Sequence, residues 1–178
     1  MTSPSIVRQG APADEPEIWR LFKLHHAENA LFPISERKVQ FYLDRVLHPE
    51  RIAEDDSGPR GIVGVIGEPT SLEGAVMLVL GSPWYTDQIG LDDCMSFVDP
   101  DHRQSDHSKA LLDYAKSVVD RVRAQGHEYF RMTVGIVSTK RTAAKIRLYA
   151  RRLEPIGAYF MYPPIEGTVG LKNMHRIT

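Results

Sequence analysis

The sequence predicts an α+β fold with a mixed, mostly antiparallel central sheet of six to seven strands and helices on both faces. Helix-forming patterns come first, short β-prone runs follow one another in the middle, and strands then alternate with helices. Strands that cluster before such an alternation are typical of α+β sandwiches. At 178 residues the chain can bury roughly two-thirds of its unfolded surface in one core, so we expect a single domain over residues 1–178.

The first third of the chain predicts a short strand followed by two helices. Residues 5–8 are β-prone, and Asp14 with Glu17 forms the D-x-x-E pattern of a helix start. A second helix should begin after Ser35. Its apolar residues follow the i, i+3, i+4, i+7, i+8 spacing of a buried stripe: Val39, Tyr42, Leu43, Val46 and Leu47.

The rest of the chain predicts a sheet covered by further helices. The runs GIVGVIGE and LEGAVMLVLG are separated by Pro-Thr-Ser, which is typical of a hairpin. The remaining predicted elements are a strand at 91–98, a helix at about 106–124, a strand at 128–136, a basic helix at about 140–152 and a β-prone segment at 156–163.

Composition narrows the classes of function. Hydrophobic residues make up 42% and charged residues 25%, as in ordinary globular proteins. A formal net charge of −1 argues against a general nucleic-acid or membrane-surface binder, which needs a basic excess. Cys94 is the only cysteine, and the sequence begins without the apolar segment of a signal peptide. We therefore expect a cytoplasmic protein without nucleic-acid or membrane partners.

The segment 97-FVDPDHRQSDHSKALL-112 contains the most informative turn. A strand that runs through a turn into a helix directs several backbone N–H groups at one point, and the helix dipole favours an anion there. Glycines usually let the phosphate approach, but this turn has none. Asp106 is expected to cap the helix, and Arg103 and Lys109 can compensate for its charge.

A metal site is a weaker hypothesis for the same turn. It contains several residues that can act as ligands: Asp99, Asp101, His102, Asp106 and His107. They lack a helical i, i+4 histidine pair, and nothing elsewhere in the sequence clearly supplies the remaining ligands. The sequence therefore predicts no metal.

The turn resembles the acetyl-CoA signature of the GNAT N-acetyltransferase superfamily. That signature is R/Q-x-x-G-x-G/A after a strand that ends in V-x-P, and Val98, Pro100 and Arg103 match it. Asp106 and Ser108 stand where the family has glycines. In this respect the turn most resembles that of a divergent, phage-type branch. A second segment, Leu148-Tyr149 followed later by Gly157, is similar to the family's L-Y-x-x-x-G-F helix end, so the resemblance spans about residues 5–162.

The resemblance implies that acetyl-CoA is the cosubstrate and assigns its contacts. The pantetheine arm would lie beside Phe97 and Val98. The pyrophosphate would face the turn and the start of the helix, formed by Arg103, Gln104, Ser105, Asp106, His107, Ser108 and Lys109. Tyr149 occupies the position of the family's general acid, which protonates the departing thiolate. Its ordinary pKa near 10 suits that role.

A base is also needed, because an ammonium must lose its proton before it can attack a thioester. Asp92 is the favoured residue, at a spacing before Arg103 that some family members use. Neighbouring strand residues point to opposite faces, so only one of Asp92 and Asp93 can face the site. Glu73 and water remain alternatives.

The expected activity is therefore transfer of an acetyl group from acetyl-CoA to a primary amine, by direct attack in a ternary complex. The acceptor can be a small molecule or a peptide, and a homodimer is common in the family. The alternative is a catalytically inactive GNAT-fold binding or regulatory protein, since the glycines are missing. A third hypothesis, a metal-dependent hydrolase at the Asp/His turn, predicts stoichiometric metal.

Overall fold

A mixed sheet with helices packed against it makes up the fold. The computed structural model describes residues 6–29, 32–54, 56, 58, 60–83, 85–136 and 141–156. The strands in these ranges are β1 (Arg8–Gln9), β2 (Gly61–Glu68), β3 (Ser71–Gly81), β4 (Gly90–Val98) and β5 (Met132–Thr133). The α-helices are α1 (Glu15–Asn29), α2 (Glu36–Leu47), α3 (His107–Ala124) and α4 (Thr142–Ala150). None of the described helices is long and apolar enough to cross a bilayer.

The sheet follows chain order, β1-β2-β3-β4-β5. The first three pairings are antiparallel and β4 pairs with β5 in parallel, so the sheet is mixed. The described residues form five strands, not the six to seven expected. Most of the predicted segment 156–163 lies outside the described residues, and only two residues of the predicted strand 128–136 pair. Arg123 binds the carbonyl oxygens of Glu128 and Phe130, which holds the start of that segment in a turn.

Helices cover both faces of the sheet, as predicted. On one face α1 and α2 pack on β2, β3 and β4, where the larger buried side chains are Ile18, Leu21, Leu43, Val63, Leu72, Met77, Met95 and Phe97. On the other face α3 packs on the same strands through Ile66, Val76, Leu78, Leu91, Val98, Leu111 and Val118. Strand alternation explains the division, because successive side chains point to opposite faces.

Charged contacts join α1 to the ends of the central strands. Arg20 donates to Asp99, just past β4, at 2.5 Å and to the carbonyl oxygen of Leu72 at 2.7 Å. Glu17 accepts from the N–H of Leu72 at 3.0 Å. The predicted D-x-x-E cap is therefore wrong, because Glu17 bonds to β3 and the buried Asp14 pairs with Arg8.

The second helix agrees with its sequence pattern. Ser35 is the N-cap, and its side chain accepts from the N–H of Lys38. Three of the residues predicted to lie in the apolar stripe are buried: Leu43, Val46 and Leu47. Two local signals, a capping residue and the helical spacing of apolar residues, are sufficient to predict this helix.

Candidate active site

The central strand β4 has one fully paired edge and one that is only partly paired. Against β3 the pairing runs from Gly90 to Val98. Against β5 the register contains only Leu91 and Asp92. Within the described residues, the edge from Asp93 to Val98 therefore has no strand partner on the β5 side, and we call it the open edge. A backbone edge of this kind can pair with an extended ligand as though it were another strand.

A bulge in β4 sets which side chains lie at the open edge. Asp93 pairs with Leu78 and Met95 pairs with Met77, so Cys94 is an extra residue between them. Bulges are frequent beside active sites because they redirect side chains. Asp93 shares the face of Leu78, toward α3, whereas Met95 packs in the core beneath α1 and α2.

The carboxyl of Asp93 is buried at the open edge. Burial raises its pKa to about 7, against the opposing effects of the Met95 N–H and the Lys145 charge. Its Oδ1 has no hydrogen-bond partner among the described residues. A carboxyl with a pKa near neutrality can exchange a proton at physiological pH.

Tyr149, on α4, lies against the same edge. Its hydroxyl lies close enough to the side chain of Ser96 on β4 to interact with it. Burial first, and then the Asp93 charge, raise the pKa of Tyr149 to about 12, with the Ser96 side chain opposing them. The phenol therefore stays protonated at neutral pH, as a general acid must.

A lysine fixes α4 relative to α1. Lys145 donates to the Oδ1 of the buried Asn29 at 2.7 Å. Burial lowers the pKa of Lys145, and the nearby cations Arg103 and Arg141 add to this, while Glu28 opposes it. The contact holds α4, and with it Tyr149, in place over β4.

Asp92, the favoured base in the sequence, lies on the opposite face of β4. It pairs with Val79, whose side chain belongs to the core under α1 and α2. Its carboxylate is exposed above Gly81. The structure therefore brings Asp93, and not Asp92, close to Tyr149. Glu73 lies elsewhere, within hydrogen-bond distance of His107.

The signature turn connects β4 to α3 through a short 3-10 helix, Pro100–His102. Most of the residues assigned to pyrophosphate are exposed: Gln104, Ser105, Asp106, Ser108 and Lys109. Asp106 occupies the N-cap position, but its side chain makes no capping hydrogen bond, so the predicted cap is wrong. Its backbone carbonyl instead accepts from the N–H groups of Lys109 and Ala110.

Arg103 points into the protein from this turn. Its guanidinium pairs with Glu28 of α1 at 2.7 Å and lies 5.2 Å from the centre of the Phe97 ring. Its Nε donates to the carbonyl oxygen of Val98 at 3.3 Å. Arg103 thus joins the end of β4 to α1. Of the cations assigned to this turn, Lys109 is the exposed one.

The face of α1 beside the open edge carries a neutral histidine. His25 packs edge-on against Phe97, with ring centroids 5.6 Å apart. Burial lowers the pKa of His25 to about 4, with the Lys145 charge contributing. The imidazole is therefore uncharged at neutral pH.

A basic cleft of about 630 Å³ runs between α3 and α4. Its lining is rich in cations: Lys116, Arg147, Arg151 and Arg152, with Ala144 and Leu148. Such a cleft suits an anionic group. The sequence placed basic residues on the predicted helix 140–152 but did not show that Lys116 of α3 faces them.

Glu73, His102 and His107 come together at the start of α3, with their ligand atoms all within 4.8 Å of one another. Both histidines are candidate ligands in the sequence, but no local signal indicates Glu73 as their partner. Pairing of Gly74 with Val98 places Glu73 beside Asp99, at the start of the turn. Such a set of side chains can hold a divalent metal ion.

Comparisons with known proteins show the fold. No protein-family model matches the chain, and no curated protein matches it in sequence. A possible acetyltransferase from Clostridium difficile 630 has a TM-score of 0.62 at 14% identity, over 92% of this chain and 99% of that one. AAC(6')-Iy, solved with the bisubstrate analogue CoA-S-monomethyl-acetylneamine, has a TM-score of 0.60 at 14% identity, with the same coverage.

A third solved structure has a similar fold. The ribosomal-protein-alanine N-acetyltransferase from Brucella melitensis biovar Abortus 2308 has a TM-score of 0.58 at 13% identity, over 89% of this chain and 99% of that one. At such identities the likeness establishes the fold alone. The chain therefore has the same fold as these acetyltransferases, over nearly the whole length of each.

Proposed function

We propose that the protein is an acetyl-CoA-dependent N-acetyltransferase that acts on a primary amine. The observation that carries the proposal is the open edge of β4, which has the buried Asp93 carboxyl and the Tyr149 hydroxyl beside it. Fold alone does not define an activity, so we infer the activity from this site. The acetyltransferases of the same fold, one of them bound to a CoA-containing analogue, support it.

The cosubstrate follows the open edge. Its pantetheine amides pair with the β4 backbone between Asp93 and Val98, and its pyrophosphate lies at the exposed turn before α3. The positive end of the α3 dipole and Lys109 favour that phosphate. The basic cleft between α3 and α4 is suited to the remaining phosphate of CoA.

Proton transfer is divided between two side chains whose pKa values are both raised, to about 7 for Asp93 and to about 12 for Tyr149. The ionised Asp93 carboxylate takes a proton from the substrate ammonium, directly or through one water. The neutral amine then attacks the thioester carbonyl, and the C–S bond breaks as the tetrahedral intermediate collapses. Tyr149 donates its proton to the departing CoA thiolate, and the proton that the attacking nitrogen loses as the amide forms returns to the Tyr149 phenolate, directly or through water. At neutral pH the carboxyl can therefore accept a proton while the phenol still holds one.

Asp92 remains an alternative base, because its spacing before Arg103 in the sequence supports that role. From its exposed position it can also attract an ammonium without accepting the proton. Exchanging Asp92 and Asp93 one at a time for Asn distinguishes the two roles.

Several expectations from the sequence stay predictions. These are a single domain over residues 1–178, cytoplasmic location, a phage-type branch, a homodimer, and the absence of nucleic-acid and membrane partners. The acceptor class, a small molecule or a peptide with a primary amine, also stays a prediction. We assign no individual acceptor.

Calorimetric titration with acetyl-CoA tests the binding half of the proposal. We expect saturable binding at one site, and Lys109→Glu should weaken it about tenfold, equivalent to about 1.4 kcal/mol. Lys38→Glu makes the same charge change at an exposed position of α2 and should leave the affinity unchanged. Absence of binding to folded wild-type protein would overturn the proposal.

A second candidate function is a non-catalytic binding or regulatory protein of the same fold. It is favoured by the side chains of Asp106 and Ser108 at positions where a phosphate turn usually carries glycines. This candidate predicts that acetyl-CoA binds weakly or not at all and that no amine releases CoA. The calorimetric titration, followed by a turnover assay, separates it from the enzyme.

A further inference from the structure

Three side chains from separate parts of the fold converge at the first turn of α3. Glu73 comes from β3, His102 from the 3-10 helix and His107 from the start of α3. The Oε2 of Glu73 lies 2.5 Å from His107 Nε2 and 3.3 Å from His102 Nδ1. The two imidazole rings stack with centroids 6.0 Å apart. One nitrogen of each ring is thus directed at the same carboxylate.

This combination of donors is typical of a borderline divalent cation. Imidazole nitrogens and a carboxylate oxygen form the His₂Glu sets of zinc proteins, with bonds of about 2.0–2.2 Å. Ligand atoms of one such ion lie roughly 3–3.5 Å apart, given those bond lengths and tetrahedral angles. The separation of Glu73 and His102 lies in that range, and the shorter contact between Glu73 and His107 has to lengthen for an ion to enter.

An ion can reach this cluster from solvent, and one of the three side chains is fixed in the protein interior. The side chain of His102 is 42% exposed and that of Glu73 is 34% exposed, whereas that of His107 is 9% exposed. The carboxylate and one ring therefore face solvent, while the second ring is fixed by packing. Such a set can leave one coordination position open to water.

Backbone and side-chain contacts hold the turn that carries the ligands. The carbonyl of Glu73 accepts from the Asp99 N–H at 2.8 Å, and the Asp99 carbonyl accepts from the His102 N–H at 2.9 Å. Ser105 bridges the two histidines, because its hydroxyl donates to the His102 carbonyl at 2.5 Å and accepts from the His107 N–H at 3.3 Å. These bonds fix the backbone that carries His102 and His107.

A carboxylate also lies behind one ligand. Asp106 Oδ1 is 3.9 Å from His107 Nδ1, the ring nitrogen that does not face Glu73. Metal-bound histidines commonly present their second nitrogen to a carboxylate, which orients the ring and increases its basicity. At 3.9 Å the pair is not a hydrogen bond, so Asp106 supplies only negative charge behind His107.

We propose that Glu73, His102 and His107 form a binding site for a divalent transition-metal ion, of which Zn²⁺ is the best fit, with Asp106 supporting His107. The bound cation ties β3, the turn and α3 together. It also places positive charge beside Asp106, where the turn lacks glycines. The proposal is independent of acetyl transfer, since metal binding is measured without acetyl-CoA.

The test uses tag-free, full-length protein freed of metal with a chelator and titrated with Zn²⁺ against a chromophoric competitor. We expect one equivalent to bind, and Glu73→Gln or His102→Ala to weaken binding about tenfold or more. His127→Ala removes an exposed histidine of the α3–β5 loop and should leave binding unchanged. Co²⁺ in place of Zn²⁺ should give visible d–d absorption that both ligand variants lose.

His102 is the primary position because its exposed ring can be removed without opening the core, unlike the buried ring of His107. Circular dichroism of each variant confirms that it is folded. The proposal is overturned if the wild-type protein shows no saturable Zn²⁺ binding. It is equally overturned if folded Glu73→Gln and His102→Ala proteins bind as the wild type does, since the ion then lies elsewhere.

Discussion

The hydroxyl of Tyr149 on α4 lies beside the side chain of Ser96 on β4, where the sheet edge is open. Asp93, earlier on the same strand, is close enough for its charge to raise the pKa of that hydroxyl. The phenol, with a pKa of about 12, keeps its proton at neutral pH, whereas the carboxyl, with a pKa of about 7, exchanges one. The pair therefore supplies an acid and a base within one site.

Tyr149→Phe should lower kcat and leave the affinity for acetyl-CoA nearly unchanged. Loss of the hydroxyl removes the proton donor for the thiolate, so kcat should fall roughly 10²-fold or more, as is usual for a lost general acid. The affinity for acetyl-CoA should change less than about twofold, because the ring and its packing remain. Steady-state release of CoA and calorimetry measure the two quantities.

Tyr114→Phe is the matched control, since it removes the hydroxyl of another partly buried tyrosine, on α3. Its kcat should stay close to that of the wild type. If Tyr149→Phe retains full kcat across pH, the general-acid role is wrong.

Asp93→Asn should remove the acidic limb of the pH profile. In the wild type, kcat/KM should rise as the pH passes about 7, because the base works only after losing its proton. The Asn variant cannot ionise, so its rate should be roughly 10²–10⁴-fold lower and lack that limb. Profiles of kcat/KM against pH for the two proteins give the comparison.

Asp92→Asn is the control for this exchange. It makes the same change at the neighbouring position, on the opposite face of the strand, and should keep the limb. The opposite outcome would assign the role of base to Asp92. In that case Asp92→Asn would lose the acidic limb of the pH profile and Asp93→Asn would keep it.

The same carboxyl should make stability depend on pH. Its folded pKa of about 7 lies above the usual unfolded value, so between the two values the folded state binds more protons. The contribution of Asp93 to stability therefore falls as pH rises through that window. Asp93→Asn should be more stable than the wild type at about pH 8, by a few kcal/mol at roughly 1.4 kcal/mol per pKa unit.

Urea unfolding at two pH values checks this prediction. At about pH 4 both the Asn side chain and the Asp93 carboxyl are neutral in the folded state, so the difference should nearly vanish. A folded Asp93→Asn protein that is less stable than the wild type at both pH values would show that Asp93 is an ordinary structural carboxylate.

Asp14→Asn should destabilise the fold. The side chain of Asp14 is fully buried and accepts two bonds of 2.7 Å from Arg8 and one of 2.8 Å from the Ala11 N–H. Because Arg8 is partly exposed, we expect a loss of about 2 kcal/mol, below that of a fully buried pair. Urea unfolding at neutral pH gives the free-energy difference.

The pH dependence of this effect has the opposite sign to that of Asp93. Burial acts to raise the pKa of Asp14, but the Arg8 and Ala11 bonds outweigh it and the net pKa is lowered. The stabilisation is thus present above the unfolded pKa and is lost as pH falls through the folded one. Asp113→Asn, at an exposed pair with Arg152, should cost under about 1 kcal/mol, and an equal loss at both sites would contradict the account.

Local patterns were enough to predict α2, where a serine cap and a stripe of apolar residues both act within a few residues of one another. Alternation along β4 also showed that only one of Asp92 and Asp93 faces the site. Which of them does so depends on the bulge at Cys94, and the bulge is set by pairing with β3. Such non-local pairing leaves no signal in the neighbouring residues.

The turn before α3 also has contacts that neighbouring residues in the sequence do not predict. Its position was predicted from the strand, the proline and the arginine, but the partners of its side chains were not. Arg103 bonds to Glu28 of α1, and His107 bonds to Glu73 of β3, both far away in sequence. The Asp106 cap failed because an aspartate at the right position need not direct its side chain at the helix N–H groups.

Turnover with an amine panel tests the central claim most directly. Full-length protein is incubated with acetyl-CoA and polyamines, aminoglycosides, amino acids and peptides, and thiol release is followed while mass spectrometry identifies the acetylated amine. The account predicts amine-dependent release of CoA with one acetyl group on the acceptor nitrogen, and its loss in Tyr149→Phe and Asp93→Asn. Folded protein that binds acetyl-CoA but acetylates none of these amines, or turnover that survives both substitutions, would contradict it.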